Sequence, residues 1–188
     1  MKVLVLSPYP ERIQPIIEQS GAQVCKNGRC DWLISYGHGR ILKGDLLREY
    51  EGRILNLHIS FLPWNRGSDP NLWSWYERTK KGVSLHIVDG GIDTGPIVAQ
   101  REVGFALDDT LATSYEKLQL AAVDLFAETW PKIVVGIVQP VSQNLKVGSF
   151  HRSVDKARIM QLLPFGWNSL CRSVEELGES MRGKEQVT

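Results

Sequence analysis

Short apolar runs recur along the chain, and each ends in a turn followed by enough residues to cross back over a sheet. Lys2 to Leu6 breaks at Ser7-Pro8-Tyr9-Pro10, after which Arg12 to Gln19 has helical spacing. Asp31 to Tyr36 runs into the turn Gly37-His38-Gly39, with Ile41 to Glu49 as a helical connector, and Arg53 to Ile59 is the next run. Antiparallel neighbours need only a tight turn, whereas parallel ones need a crossover of about a dozen residues or more. The pattern therefore predicts an α/β fold, a mainly parallel twisted sheet flanked by helices.

Beyond a loop rich in proline, glycine and asparagine, Asn71 to Thr79 reads as a helix and Gly82 to Val88 as a strand. Asp89 to Pro96 is a loop by composition, and Ile97 to Val103 is a further strand. Asp109 and Thr110 are placed to cap a long amphipathic helix starting near Leu111, which Pro131 is expected to end or restart. With 188 residues the chain suits a single domain, 1–188, with a core over about 1–140 and a C-terminal extension over 141–188.

A net charge of +1 provides no global field for a polyanion, so nucleic acid is not an expected partner. The opening apolar run is too short for a signal peptide, and no stretch has the length of a membrane span, which predicts a cytoplasmic protein. Cys25, Cys30 and Cys171 are an odd number without a CxxC pair. They are expected to be free thiols in a reducing compartment, with no disulfide framework and no zinc site.

Two constellations carry chemistry. Side chains alternate along Leu55 to Ser60, so Asn56, His58 and Ser60 share one face of a strand whose other face is apolar. Polar groups there must be hydrogen-bonded or used, and the end of a parallel strand is where open α/β sheets bind ligands. The spacing alone admits a second reading, in which Asn56 and His58 tie the strand to a neighbouring loop. The second constellation is Ser84 and His86 on one strand face, then Asp89 and Asp93 among Gly90, Gly91 and Gly95. A carboxylate on such a loop could hold an imidazole in its charged form, or could serve as an Asx turn. Trp73, Trp75 and Tyr76 fall together on a presumed helix and read as core or as a stacking platform. No GxGxxG or Walker pattern follows the first strand, so a dinucleotide is not expected.

Taken together, Asn56-Leu57-His58-Ile59-Ser60-Phe61-Leu62-Pro63 and Asp89-Gly90-Gly91-Ile92-Asp93-Thr94-Gly95-Pro96-Ile97 resemble the two signature segments of the folate-dependent formyltransferase family, in its order and at about its spacing. The similarity runs roughly from Trp32 to Ile137. It implies the Rossmann-like fold of that family and makes Asn56, His58 and Asp93 the catalytic trio. Arg40, Ile41 and Leu42, with Val88, Asp89, Gly90 and Ile92, look like the pocket for 10-formyltetrahydrofolate, the implied cosubstrate. No metal is implied.

Pro63 to Ser74 and Lys81 to His86 are most similar to the sugar N-formyltransferases, which act on nucleotide-linked amino sugars. By that likeness Ser7, Tyr9, Trp64, Asn65, Arg66, Gly67 and Asn71 would contact the acceptor. Ser7-Pro8-Tyr9-Pro10 lacks the glycine-asparagine phosphate loop of the purine enzyme, and the chain ends before a tRNA-binding domain would begin. The region between the first strand and Trp32 is shorter than in sugar formyltransferases. Partners would be the reduced folate and a nucleotide sugar, with no membrane; a homodimer is compatible with the family. Another amine acceptor, ribonucleotide or aminoacyl, and a binding module without turnover are the alternatives. In the implied chemistry Asn56 and a protonated His58 donate to an oxyanion, and Asp93 takes the proton of the attacking amine.

Overall fold

A computed structural model of the chain describes residues 1–26 and 28–185. Strands β1 (Lys2–Leu6), β2 (Gln23–Cys25), β3 (Trp32–Tyr36) and β4 (Ile54–His58) pair in parallel, in the order β2-β1-β3-β4. The connections hold α1 (Gln14–Gln19) and α2 (Asp45–Glu49), the latter shorter than the expected 41–49 helix because it starts only after Gly44, at φ 69°. A two-residue strand β5 (Arg66–Gly67) and helix α3 (Pro70–Tyr76) lead to β6 (Gly82–Ile87) and β7 (Ile97–Glu102).

Those last two strands extend the sheet antiparallel, β6 to β4 and β7 to β6. The loop between β6 and β7 is too short for a crossover, so the chain reverses direction there. The sheet is therefore mainly parallel with an antiparallel edge, as the apolar runs led one to expect.

Helix α4 (Leu111–Val134) crosses one face of the sheet. Thr110 caps it by accepting from the Thr113 amide, while the Thr113 hydroxyl receives the Thr110 amide. Leu118, Ala122, Leu125, Phe126 and Trp130 recur at helical spacing and bury against Val3, Ile34, Leu55, Leu57, Val83 and Leu85. Pro131 does not end the helix, which continues to Val134. Pro131 gives up the hydrogen bond to the Ala127 carbonyl, and continuing the helix keeps Ile133 and Val134 against the core.

Beyond α4 the chain forms β8 (Phe150–His151), which pairs with β5, then α5 (Lys156–Met160) and α6 (Cys171–Glu185). A second cluster joins Leu72, Trp73 and Trp75 of α3 to Leu111, Ile159, Leu163, Cys171 and Val174. Trp73 and Trp75 are thus core, which removes the stacking-platform reading for both. The thiol expectation is corrected at Cys25 and Cys30, which form a disulfide because β2 and β3 both pair with β1, so that Cys25 at the end of β2 and Cys30 just before β3 come together; Cys171 is free and buried. No described helix is long and apolar enough to cross a membrane.

Trp130 is fully buried and its indole N–H donates to the Ser20 hydroxyl at 2.9 Å. Trp130→Ala should cost about 3–5 kcal/mol of stability in urea unfolding. A loss below about 1 kcal/mol would contradict its place at the centre of the core.

Candidate active site

The antiparallel register between β4 and β6 sets Asn56 opposite His86 and His58 opposite Ser84. The loop after β6 then brings Asp93 back over both histidines. The Asn56 Nδ2 group lies 3.0 Å from His86 Nε2 and donates to Asp93 Oδ1 at 3.4 Å. His58 Nδ1 is 3.6 Å from Asp93 Oδ2, and His86 Nε2 is 3.3 Å from Oδ1. The amide N–H of Gly67 donates to Oδ2 at 2.8 Å. These groups line a cleft of about 930 Å³ between the ends of β3, β4 and β6, the start of α4 and the segment around β8.

The hydrogen bonds assign the protons. His58 Nε2 faces the Asn65 carbonyl at 3.1 Å and must donate to it, so in the neutral ring Nδ1 presents its lone pair to Asp93. His86 Nδ1 likewise faces the Ile87 carbonyl at 3.0 Å, which leaves Nε2 to receive the Asn56 amide. Burial pushes the His58 imidazole below its ordinary value, against the opposing pull of Asp93. Burial would raise Asp93 as well, but the imidazoles of His58 and His86 and the Gly67 N–H together hold its carboxyl far below the usual carboxylate range. Asp93 is therefore held ionised, while burial and the neighbouring carboxylate pull the His58 ring in opposite directions.

The cleft gathers Asn56, His58 and Asp93, and with them Arg40, Ile41, Leu42, Val88 and Ile92. Asp89 and Gly90 stand outside its lining; the Asp89 carboxylate accepts from the Gly91 amide and the Thr94 hydroxyl, shaping the loop. Gly67 and Asn71 line the cleft, though the Asn71 amide is bound on both sides, to the Leu111 carbonyl and to the Trp75 indole and Ser114 hydroxyl. Trp64, Asn65 and Arg66 do not line it. Asn65 has no solvent exposure, and its side chain is engaged by Glu77, Thr79 and Ser149. Ser7 and Tyr9 are also outside; Ser7 borders a smaller hollow beside β2.

Several groups of the cleft had no assigned role in the sequence reading, among them four with rings that could meet a ligand. His86 is one, and its alternation with Ser84 was the available signal. Phe150, His151 and Trp167 are the others, each in a polar-aromatic turn of the C-terminal region. The His151 ring stacks flat on Trp73 with centroids 3.7 Å apart, and its Nε2 lies 2.9 Å from the Glu77 carboxylate. Among the described residues no cluster of three or more His, Cys, Asp or Glu is placed to hold a metal.

A family model described as "Formyl transferase" matches residues 5–129. Methionyl-tRNA formyltransferase of Myxococcus xanthus (strain DK1622) is 35% identical over 145 residues, 75% of this chain and 44% of that protein. The same enzyme of Bacillus subtilis (strain 168) is 28% identical over 180 residues, 95% of this chain and 53% of that one. The chain thus spans about half the length of these curated relatives. Among solved structures, the formyltransferase PseJ from Anoxybacillus kamchatkensis, in complex with UDP-4,6-dideoxy-4-formamido-L-AltNAc and tetrahydrofolate, is 38% identical with a TM-score of 0.86, covering 93% of this chain and 97% of that one. A sugar N-formyltransferase from Shewanella sp FDAARGOS_354 shares the fold at 21% identity, with a TM-score of 0.75 and coverage of 95% and 87%.

The ionised Asp93 has a consequence for stability. In the unfolded chain this carboxyl takes up a proton near its ordinary value of 3.8, whereas in the fold it stays ionised to lower pH. The unfolded state therefore binds more protons below that value, and stability falls as pH drops through about 4 and below. Asp93→Asn should flatten this acid slope in urea midpoints taken between about pH 5 and pH 2.5. An unchanged slope would show that the carboxyl is not held down.

Proposed function

The chain belongs to the formyl transferase family, and on that footing we propose that it moves a formyl group from 10-formyltetrahydrofolate to the amine of a nucleotide-linked amino sugar. The observation that carries the reaction type is the meeting of the Asn56 amide, two imidazoles and an ionised Asp93 in one open cleft. Arg40, Ile41, Leu42, Val88 and Ile92 offer a largely apolar wall with one cation, which suits a flat pterin ring. Phe150, His151, Arg152 and Trp167, also in the lining, combine aromatic faces with positive charge, a fit for a base and its diphosphate. The likeness to PseJ over nearly the whole of both chains supports a sugar-linked acceptor.

In this reading the amine nitrogen attacks the formyl carbon, a carbon–nitrogen bond forms, and the carbonyl electron pair moves onto oxygen. The Asn56 Nδ2 donor stabilises that oxyanion. The attacking nitrogen becomes acidic as it gains a bond, and its proton passes to the Asp93 and His58 pair. His58 Nδ1 is free to take a proton because Nε2 is already committed to the Asn65 carbonyl, and the imidazolium so formed sits 3.6 Å from the carboxylate. Collapse of the intermediate returns the electron pair to the carbonyl and breaks the bond to the folate nitrogen, which takes the proton held by the Asp93 and His58 pair.

The sequence likeness to methionyl-tRNA formyltransferases motivates a second acceptor, an aminoacyl amine. Purified protein given 10-formyltetrahydrofolate and a panel of nucleotide-linked amino sugars, glycinamide ribonucleotide and methionyl-tRNA separates the two. Formylation confined to methionyl-tRNA would overturn the sugar reading, and folate binding without any transfer would leave a binding module. With the sugar acceptor, Asn56→Ala should lower kcat by ~10²–10³. Asp93→Asn should abolish turnover while tetrahydrofolate binding persists; near-normal turnover would remove Asp93 from the mechanism.

A further inference from the structure

Asp93 has φ 52°, in the left-handed region, which a residue with a Cβ keeps only when its surroundings hold it there. Two residues on, Gly95 presses so closely on β6 that a Cβ there would run into the Ile87 carbonyl. The outer side of this loop is held by a residue far away in the chain. Gln143 Nε2 donates to the Asp93 carbonyl at 2.9 Å and to the Gly95 carbonyl at 2.7 Å. Gln143 itself is anchored, because Val141 exchanges both backbone hydrogen bonds with Ile97 at 2.8 Å each. Its Oε1 is buried with no partner, so two carbonyls dictate which way the amide points. Turning it round would set an oxygen against both of them.

We propose that Gln143 is a positioning residue for the Asp93 carboxylate. The bridge across two carbonyls sets the backbone of residues 93–95 and with it the direction of the Asp93 side chain, while the Gly67 N–H holds the far oxygen at 2.8 Å. Gln143 lies outside both the cleft lining and the stretch matched by the family model, and it acts through Asp93 alone. The kinetic part of the test rests on the formyl-transfer reading; the geometric part does not.

Gln143→Leu removes both donors at similar volume, and Gln143→Asn keeps the amide on a shorter arm. Three readouts apply to each full-length variant: ring-proton NMR titrations of His58 and His86, kcat and KM for 10-formyltetrahydrofolate, and the thermal midpoint. Gln143→Leu should move the His58 titration to lower pH, because a displaced carboxylate no longer helps the ring hold its proton. It should also lower kcat by about 10- to 100-fold, with KM changed less than about threefold. Gln143→Asn should fall between Gln143→Leu and the unaltered protein in both, and it carries the test should Gln143→Leu fail to fold. A folded variant that keeps the His58 and His86 titrations and kcat while losing thermal stability would reduce Gln143 to scaffold and overturn the proposal. Should the unaltered protein formylate no acceptor, the functional reading fails, and the histidine titrations still decide the role of Gln143.

Discussion

A single ionised carboxylate, largely shielded from solvent beside two buried imidazoles, is the constraint that the rest of the site answers to. An unpaired charge at that depth would be costly or would be protonated away. Asp93 stays charged because a backbone N–H and a side-chain amide donate to it and two imidazoles lie beside it, each from a different part of the chain. The Gly67 amide lies on β5, which exists only because β8 pairs with it. A Cβ at Gly67 would strike the His151 carbonyl, so the close approach of these two short strands depends on glycine.

A second polar hub supports the first from behind. The Glu77 carboxylate, at the end of α3, receives the Asn65 amide at 2.8 Å and the Ser149 hydroxyl at 2.6 Å. Burial would raise this carboxyl, but His151, Ser149 and Asn65 together keep it below its ordinary value. Asn65 is left-handed at φ 56°, and its carbonyl is the acceptor that fixes the His58 proton on Nε2. The tautomer of a ring in the cleft is therefore set by a carboxylate two steps removed. Residues 141–151 take part in both hubs, through Gln143 at the first and Ser149 and His151 at the second.

Much of this was readable in order along the chain. Alternation with a period of two put Asn56 and His58 on one face, and they do line the cleft; the glycine-rich composition of 89–96 marked the loop that carries Asp93. Local patterning also placed the α4 cap at Thr110 and the start of the helix at Leu111. It did not reach Asn65, which the likeness to the sugar N-formyltransferases set against the acceptor. A left-handed turn points its amide at Glu77 and Thr79 instead of the cleft. Ser60, on the same strand face as His58, bonds the Trp64 carbonyl and shapes that loop.

What the sequence by itself determined was the five longer strands β1, β3, β4, β6 and β7, the faces their side chains occupy and the residue types at their ends, while the short β2, β5 and β8 carried no such signal. Those follow from the two-residue pleat and from turn chemistry, which act over a few residues. The tertiary structure alone decided which groups meet. His86 joins the site because antiparallel register sets it opposite Asn56, and Gln143 reaches Asp93 because the bridge between Ile97 and Val141 brings it back across fifty residues. Such pairings rest on sheet register and loop closure between distant segments, and no short-range pattern encodes them.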